Sequence, residues 1–153
     1  MQNLLIFFFI ICFSIFVTGQ NVNPSYDPEL ARSLGSDELG MKWYVLVILK
    51  TGQTVVEDAN HRNQYFSGHM SAISGMAKEG KLIIAGPLGA NENQYRGIYI
   101  LTAGSVEEAQ EWLQADPAIK DGVFDVDIIR WYGSAALPEY LKYHEKIIKH
   151  APN

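Results

Sequence analysis

The chain has 153 residues, a net charge of −5 at neutral pH, 48% hydrophobic residues and a single cysteine. A chain of this length can bury enough surface for one ordinary hydrophobic core, so we expect a single folded domain. The charged residues form no basic stripe, which argues against nucleic acid and acidic membrane surfaces as partners.

The N-terminus carries an almost unbroken apolar run from Leu4 to Val17. Val17 and Gly19 occupy the two positions before a signal-peptidase cut that favour small residues, so residues 1–19 are typical of a secretory signal peptide. We therefore expect export to the periplasm or the cell exterior, with Gln20 as the first mature residue. The run is shorter than the roughly 20 residues of a comfortable spanning helix, and a retained anchor is the alternative. Cleavage removes the only cysteine, so the exported chain has no disulfide.

Residues 20–40 mix proline, glycine, serine, asparagine and aspartate with few large apolar side chains. Low hydrophobicity does not offset the entropy lost on ordering, so this segment is predicted to be a flexible N-terminal tail. Residues 41–132 are predicted to form the folded domain. Its first strand, Lys42–Lys50, is rich in β-branched and aromatic residues and has the composition of a buried central strand.

The middle of the domain is predicted to hold one helix and a hairpin. Over residues 60–79, apolar side chains recur at steps of three and four, which predicts a helix that ends at Gly80. Strands over Lys81–Ala85 and about Arg96–Thr102 follow, and the polar connection between them indicates a hairpin.

A second helix and a last strand complete the domain. Ser105 and Glu108 have the spacing of a capping box, in which Ser105 accepts from the Glu108 amide and the Glu108 side chain accepts from the Ser105 amide. The helix is predicted to stop before Pro117, because the residue preceding a proline avoids the helical conformation. After Gly122, apolar and polar side chains alternate over residues 124–129, which indicates a strand.

This order of elements predicts an α+β fold, a ferredoxin-like βαββαβ sandwich with one antiparallel sheet and two helices on one face. Tyr44, Tyr99 and Trp131 are predicted to lie on the other face. A second copy of the sheet would bury them, so we expect a homodimer. Residues 133–153 form a C-terminal extension, in which Pro138 begins an amphipathic helix.

His69 lies on the predicted inner side of the first helix, within about 40° of Tyr65 and Ile73 around the helix axis. A buried imidazole without partners costs about 1–3 kcal/mol, so its nitrogens should find hydrogen bonds or face a cavity. A satisfied core histidine and an ionisable group that lines a pocket are both open interpretations at this point.

Asp116 also has two interpretations, as a functional side chain or as a structural cap. The structural interpretation rests on its position before Pro117, where an aspartate is a favoured cap for a turn over residues 118–120.

No metal site is predicted, because the chain has no histidine pair at helical spacing, no cysteine after cleavage and no dense acidic loop. A glycine-rich phosphate loop and a Gly-x-Ser-x-Gly motif are also absent from the sequence, so no cofactor is expected.

Three sequence blocks together resemble the YCII-related family. They are His69 with the Met-Ser-Ala-Ile that follows it, Glu79–Leu88 with its AGPL, and Ser105–Phe124 with its ADP-x-x-x-x-GVF. The resemblance covers about Met41 to Trp131. It implies a dimeric α+β barrel of ferredoxin-like subunits and an active site with a His/Asp pair, which here corresponds to His69 and Asp116.

Under this resemblance, Asp116 would fix the tautomer of His69 and stabilise its protonated form, which makes the ring a usable proton acceptor near neutral pH. Some relatives resemble dehydrochlorinases of chlorinated hydroxyquinols, and the wider superfamily includes cofactor-free isomerases and oxygenases. The leading hypothesis is a cofactor-independent lyase or isomerase of a small cyclic or aromatic compound, with Tyr65 and Gly86 lining the pocket. The rivals are an exported small-molecule-binding or interaction module without turnover, and a purely structural dimer.

Overall fold

A computed structural model describes residues 23–149 of the chain. The predicted signal peptide lies outside these residues. Four strands form one antiparallel sheet in the order β2-β3-β1-β4. The strands are β1 (Met41–Thr51), β2 (Leu82–Pro87), β3 (Tyr95–Leu101) and β4 (Phe124–Ser134).

Helices occupy the connections and both ends of the described chain. They are α1 (Pro28–Leu34), α2 (Ala59–Lys78), α3 (Val106–Leu113), α4 (Pro117–Lys120) and α5 (Leu141–Ile147), with a 3-10 turn over Leu137–Tyr140. None of these helices is long and apolar enough to cross a membrane. The strand and helix order confirms the predicted ferredoxin-like α+β fold.

The main hydrophobic core lies between the sheet and helices α2 to α4. Val45 and Val47 of β1 are fully buried there, together with Leu101 of β3 and Leu113 of α3. Burying such a side chain contributes about 1.5–3 kcal/mol, so these residues stabilise the helix-covered face of the sheet.

The prediction for the uncovered face is correct for Tyr44 and Trp131 and wrong for Tyr99. The Tyr44 and Trp131 rings are 5.7 Å apart and belong to a second, smaller cluster on that face. Tyr99 pairs with Val47 across the sheet and points towards the helices. Because β3 is apolar on both faces, it lacks the alternation that would have indicated which side chains face which way.

The helix caps follow the predictions with one change. The Ser105 hydroxyl accepts from the Glu108 amide at 3.1 Å, as expected. The Glu108 carboxylate, however, accepts from the Gly104 amide at 2.8 Å, and not from that of Ser105.

The predicted N-terminal tail contains a helix, α1, that the sequence analysis did not anticipate. Its N-cap Asp27 accepts from two backbone amides, and Gly35 ends it with φ of 67°. Beyond the helix, the Asp37 carboxylate accepts from the amide of Met41 and from the hydroxyl of Tyr132 on β4. No residue of α1 is buried, so the hydrophobic pattern carries no signal for it, and only its caps do.

The C-terminal extension leads onto the uncovered face. Leu137 packs against the Tyr44 cluster, and the Tyr140 hydroxyl donates to the Ile83 carbonyl. Pro138 lies in the 3-10 turn and α5 follows it, so the predicted helix is present but begins as a tighter turn.

Candidate active site

Helix α2 approaches α4 unusually closely at one glycine. A Cβ atom added at Gly68 would lie 2.4 Å from Cγ of Pro117, far inside van der Waals contact. Only glycine therefore allows this approach. The residue after Gly68 is His69 and the residue before Pro117 is Asp116, so the contact brings these two side chains together.

The two residues that the sequence analysis singled out are in direct contact. His69 Nδ1 lies 2.5 Å from Asp116 Oδ2. The Asp116 side chain is 0% exposed and that of His69 is 13% exposed. Asp116 Oδ1 also accepts from the Ala118 amide at 2.9 Å, so the aspartate caps α4 as well. Asp116 therefore combines the cap and the histidine partner that the sequence analysis weighed as alternatives.

The partners of Asp116 determine which nitrogen of His69 carries the hydrogen. A carboxylate only accepts hydrogen bonds, so Nδ1–H of His69 donates to Oδ2. In the neutral ring, the lone pair then lies on Nε2. Fixing a tautomer through one nitrogen in this way leaves the other nitrogen to act as a base.

Tyr99 contacts the His69 ring through its hydroxyl. The hydroxyl oxygen is 3.3 Å from Nε2 and 3.5 Å from Nδ1. The two rings are stacked, with 28° between their planes. Burial, and then the charge of Asp116, raise the pKa of Tyr99, so its hydroxyl stays neutral. Among the described residues, the hydrogen-bond contact of the Nε2 lone pair is this one of 3.3 Å, which is longer than a typical hydroxyl hydrogen bond.

Two pockets meet at the His69 ring. The first, of about 650 Å³, lies beside the β1–α2 loop. The second, of about 480 Å³, lies between α2 and strands β2 and β3. Both are lined by Phe66, His69, Arg96 and Phe124. Their volumes are typical of small-molecule sites, which are about 300–1,000 Å³.

The two predicted lining residues fall in different pockets. Tyr65 lines the first, and its hydroxyl donates to Asp121 Oδ2 at 3.0 Å. Gly86 lines the second. A Cβ atom added at Gly86 would meet nothing within 4 Å, so packing within this chain does not require a glycine there.

The site residues that were not predicted include Gly68, Tyr99 and Arg96, and also Phe66 and Phe124, which line both pockets. A glycine in the middle of a helix and next to a histidine was a usable signal for Gly68, because glycine costs about 1 kcal/mol there relative to alanine. Arg96 is the residue of β3 that is skipped where the pairing with β1 shifts, between Leu49↔Gly97 and Lys50↔Tyr95, and no local pattern indicates such a shift. Among residues 23–149, no three His, Cys, Asp or Glu side chains converge as metal ligands would.

Comparisons with known proteins identify one domain family and two similar solved structures. Residues 41–132 match the YCII-related domain. The structure is similar to that of muconolactone isomerase at 15% identity and a TM-score of 0.47, covering 56% of this chain and 84% of that chain. It is also similar to the 5-chloro-2-hydroxyhydroquinone dehydrochlorinase of Burkholderia phenoliruptrix AC1100, in complex with 2,5-dihydroxybenzoquinone. That similarity is 21% identity and a TM-score of 0.42, covering 57% of this chain and 92% of that chain. No curated protein matches the sequence.

Proposed function

The chain belongs to the YCII-related family, and we propose that it is a cofactor-independent lyase or isomerase acting on a small cyclic or aromatic compound. The observation that carries the proposal is the His69–Asp116 contact of 2.5 Å beside two pockets. A general base needs a free lone pair, a way to stabilise its charged form and room for a substrate. His69 has the last two, and its Nε2 lone pair has a long contact of 3.3 Å with Tyr99, which a substrate would have to replace.

In the proposed reaction, His69 Nε2 takes a proton from a substrate carbon next to a carbonyl or enol group. The resulting imidazolium is stabilised by the Asp116 carboxylate at its other nitrogen. In an isomerase, the same proton returns to a different carbon. In a lyase, the C–H bond and the bond to a leaving group break, a double bond forms, and the leaving group departs with the electron pair.

The test is exchange of a substrate proton with solvent deuterium, followed by NMR. The compounds to try first are muconolactone, other cyclic ketones and lactones, and chlorinated hydroxyquinols. We expect the wild type to catalyse exchange or product formation with at least one of them. His69→Ala should lower that rate by about 10²–10⁴-fold, the usual contribution of a general base.

His61→Ala is the matched control, because His61 lies on the same helix and lines neither pocket at His69. It should leave the rate unchanged. An equal rate in wild type and His69→Ala would refute the proposal. Saturable binding without exchange or product would instead identify a binding module without turnover.

A further inference from the structure

The pockets at His69 carry positive charge in an acidic protein. The chain has 17 acidic and 12 basic residues, and only four of these are arginines. Two of the four, Arg62 and Arg96, line the first pocket, and Arg96 also lines the second. No described aspartate or glutamate lines either pocket. Such a local excess of positive charge favours an anionic ligand.

Arg96 is held in place but not neutralised. Its Nε–H donates to Thr51 Oγ1 at 2.7 Å. Among the salt bridges of residues 23–149, none involves Arg96. One edge of the guanidinium is therefore fixed by a neutral oxygen, while its terminal nitrogens remain for a carboxylate or phenolate.

Arg62 has a different role. Its Nη1 donates to the carbonyls of Val56 and Glu57, so it ties the β1–α2 loop to helix α2. These bonds occupy a terminal nitrogen of Arg62, whereas no hydrogen bond among residues 23–149 involves a terminal nitrogen of Arg96. Arg96 is therefore the better anion-binding residue of the two.

The carboxylates that contact His69 and Tyr65 have hydrogen-bond partners other than Arg96. The two oxygens of Asp116 accept from His69 Nδ1–H and from the Ala118 amide. Asp121 accepts from the Tyr65 hydroxyl and lines a neighbouring hollow, which shares Tyr65 with the first pocket. Neither carboxylate forms an ion pair with Arg96.

The walls opposite Arg96 are apolar and partly aromatic. The second pocket is lined by Phe66, Met70 and Ile73 of α2 and by Phe124 of β4. Phe66 is 66% exposed, and the Phe124 ring centroid is 5.0 Å from that of His69. Aromatic side chains at these positions suit a flat ring, which would cover them from solvent.

We propose that the site binds a flat organic anion, a cyclic or aromatic compound with a carboxylate or phenolate, and that Arg96 holds the anionic group. This inference rests on the proposed function, because it takes the pocket at His69 as the substrate site. It adds the charge of the substrate and the residue that selects for that charge.

The test compares benzoate with benzamide, its neutral analogue of nearly equal shape, by NMR titration of the purified protein. We expect benzoate to bind at least about tenfold more tightly, as one charge-assisted hydrogen bond would give. Arg96→Gln should abolish this preference. Arg130→Gln removes the same charge from a side chain that stacks on Trp43, 4.6 Å from its ring centroid, and should leave the preference unchanged.

Equal binding of the two compounds, or no binding of benzoate, would overturn the proposal. So would a preference that survives Arg96→Gln or that is lost instead in Arg62→Gln. His69→Gln separates this proposal from the proposed function, because it removes the base and leaves Arg96 in place, so it should keep the benzoate preference. If the wild type prefers benzoate but exchanges no substrate proton, only the catalytic function is contradicted.

Discussion

Asp116 is the residue on which both the local fold and the site depend. One of its oxygens caps α4 and the other accepts from His69, and the side chain is fully buried. A buried carboxylate without partners would be strongly destabilising, whereas here each oxygen has a donor. The chemistry of His69 is therefore set by a residue that the fold itself requires.

Replacing Asp116 by asparagine should reverse the tautomer of His69. The amide oxygen can still accept from Ala118, but its NH₂ group is then turned towards Nδ1, which must accept. We expect the neutral ring to carry its hydrogen on Nδ1 in the wild type and on Nε2 in Asp116→Asn. Ring ¹⁵N chemical shifts report the tautomer directly, with His61 as an internal control. The same tautomer in both proteins would mean that Asp116 does not orient the ring.

At the residue scale, the sequence indicated two of the central side chains and not their surroundings. His69 was recognisable because helical spacing placed an ionisable ring on the buried side. Asp116 before a proline indicated a cap, and the resemblance to the YCII-related family paired it with His69. Tyr99 and Arg96 were not recognisable, since their positions depend on strand pairing. Pairing joins residues far apart in the chain, and only the folded sheet reveals which faces they share.

At the scale of elements, the contact between α2 and α4 decides whether the site can form. Gly68 packs on the rigid ring of Pro117, and no other residue type fits there without movement. Gly75 lies in the same helix, and a Cβ atom added there would meet nothing within 4 Å. The two glycines therefore differ in the space beside them, which Pro117 fills at Gly68 and which is open at Gly75.

Gly75→Ala should raise stability, whereas Gly68→Ala should leave it unchanged or lower it. Alanine is favoured over glycine in a helix by about 1 kcal/mol, and Gly75→Ala should gain about that amount. At position 68, overpacking against Pro117 costs about 1–3 kcal/mol, which cancels or exceeds the gain. Urea denaturation measures both changes. A similar gain in the two variants would show that α2 does not rely on this contact.

The larger elements were predictable because each has a local cause. The β-branched run of β1, the caps of α2 and α3 and the proline after α3 all act within a few residues. Helix α1 was missed because it buries nothing, and the faces of β3 were misassigned because both are apolar. Both failures concern elements whose hydrophobic pattern does not distinguish inside from outside.

At the scale of the whole molecule, one face of the sheet is apolar and only partly covered. Its half-buried or exposed side chains are Leu46, Ile48, Ile84, Ile98, Ile129 and Trp131. At one end, Lys50 pairs with Asp127 at 2.6 Å and with Asp125 at 3.4 Å, which gives the face a charged border. An apolar centre with a polar rim is typical of protein interfaces.

We expect two copies of the chain to pack through this face, and Ile129→Lys to separate them. Ile129 is 48% exposed at the centre of β4, where a partner sheet would bury the new charge. Val55→Lys is the control, because Val55 is 81% exposed on a loop away from the face. Analytical ultracentrifugation should find a dimer for wild type and Val55→Lys, and a monomer for Ile129→Lys. A monomeric wild type, or a dimeric Ile129→Lys, would contradict this arrangement.

Asp116 both caps α4 and partners His69, and this affects how relatives of this protein should be compared. A lineage that lost the imidazole at position 69 would leave one oxygen of a fully buried carboxylate without a donor, and asparagine, serine or threonine can also cap α4. We therefore expect the aspartate and the histidine to be replaced together. The pair, and neither residue alone, is the informative marker when active members are to be told from inactive ones.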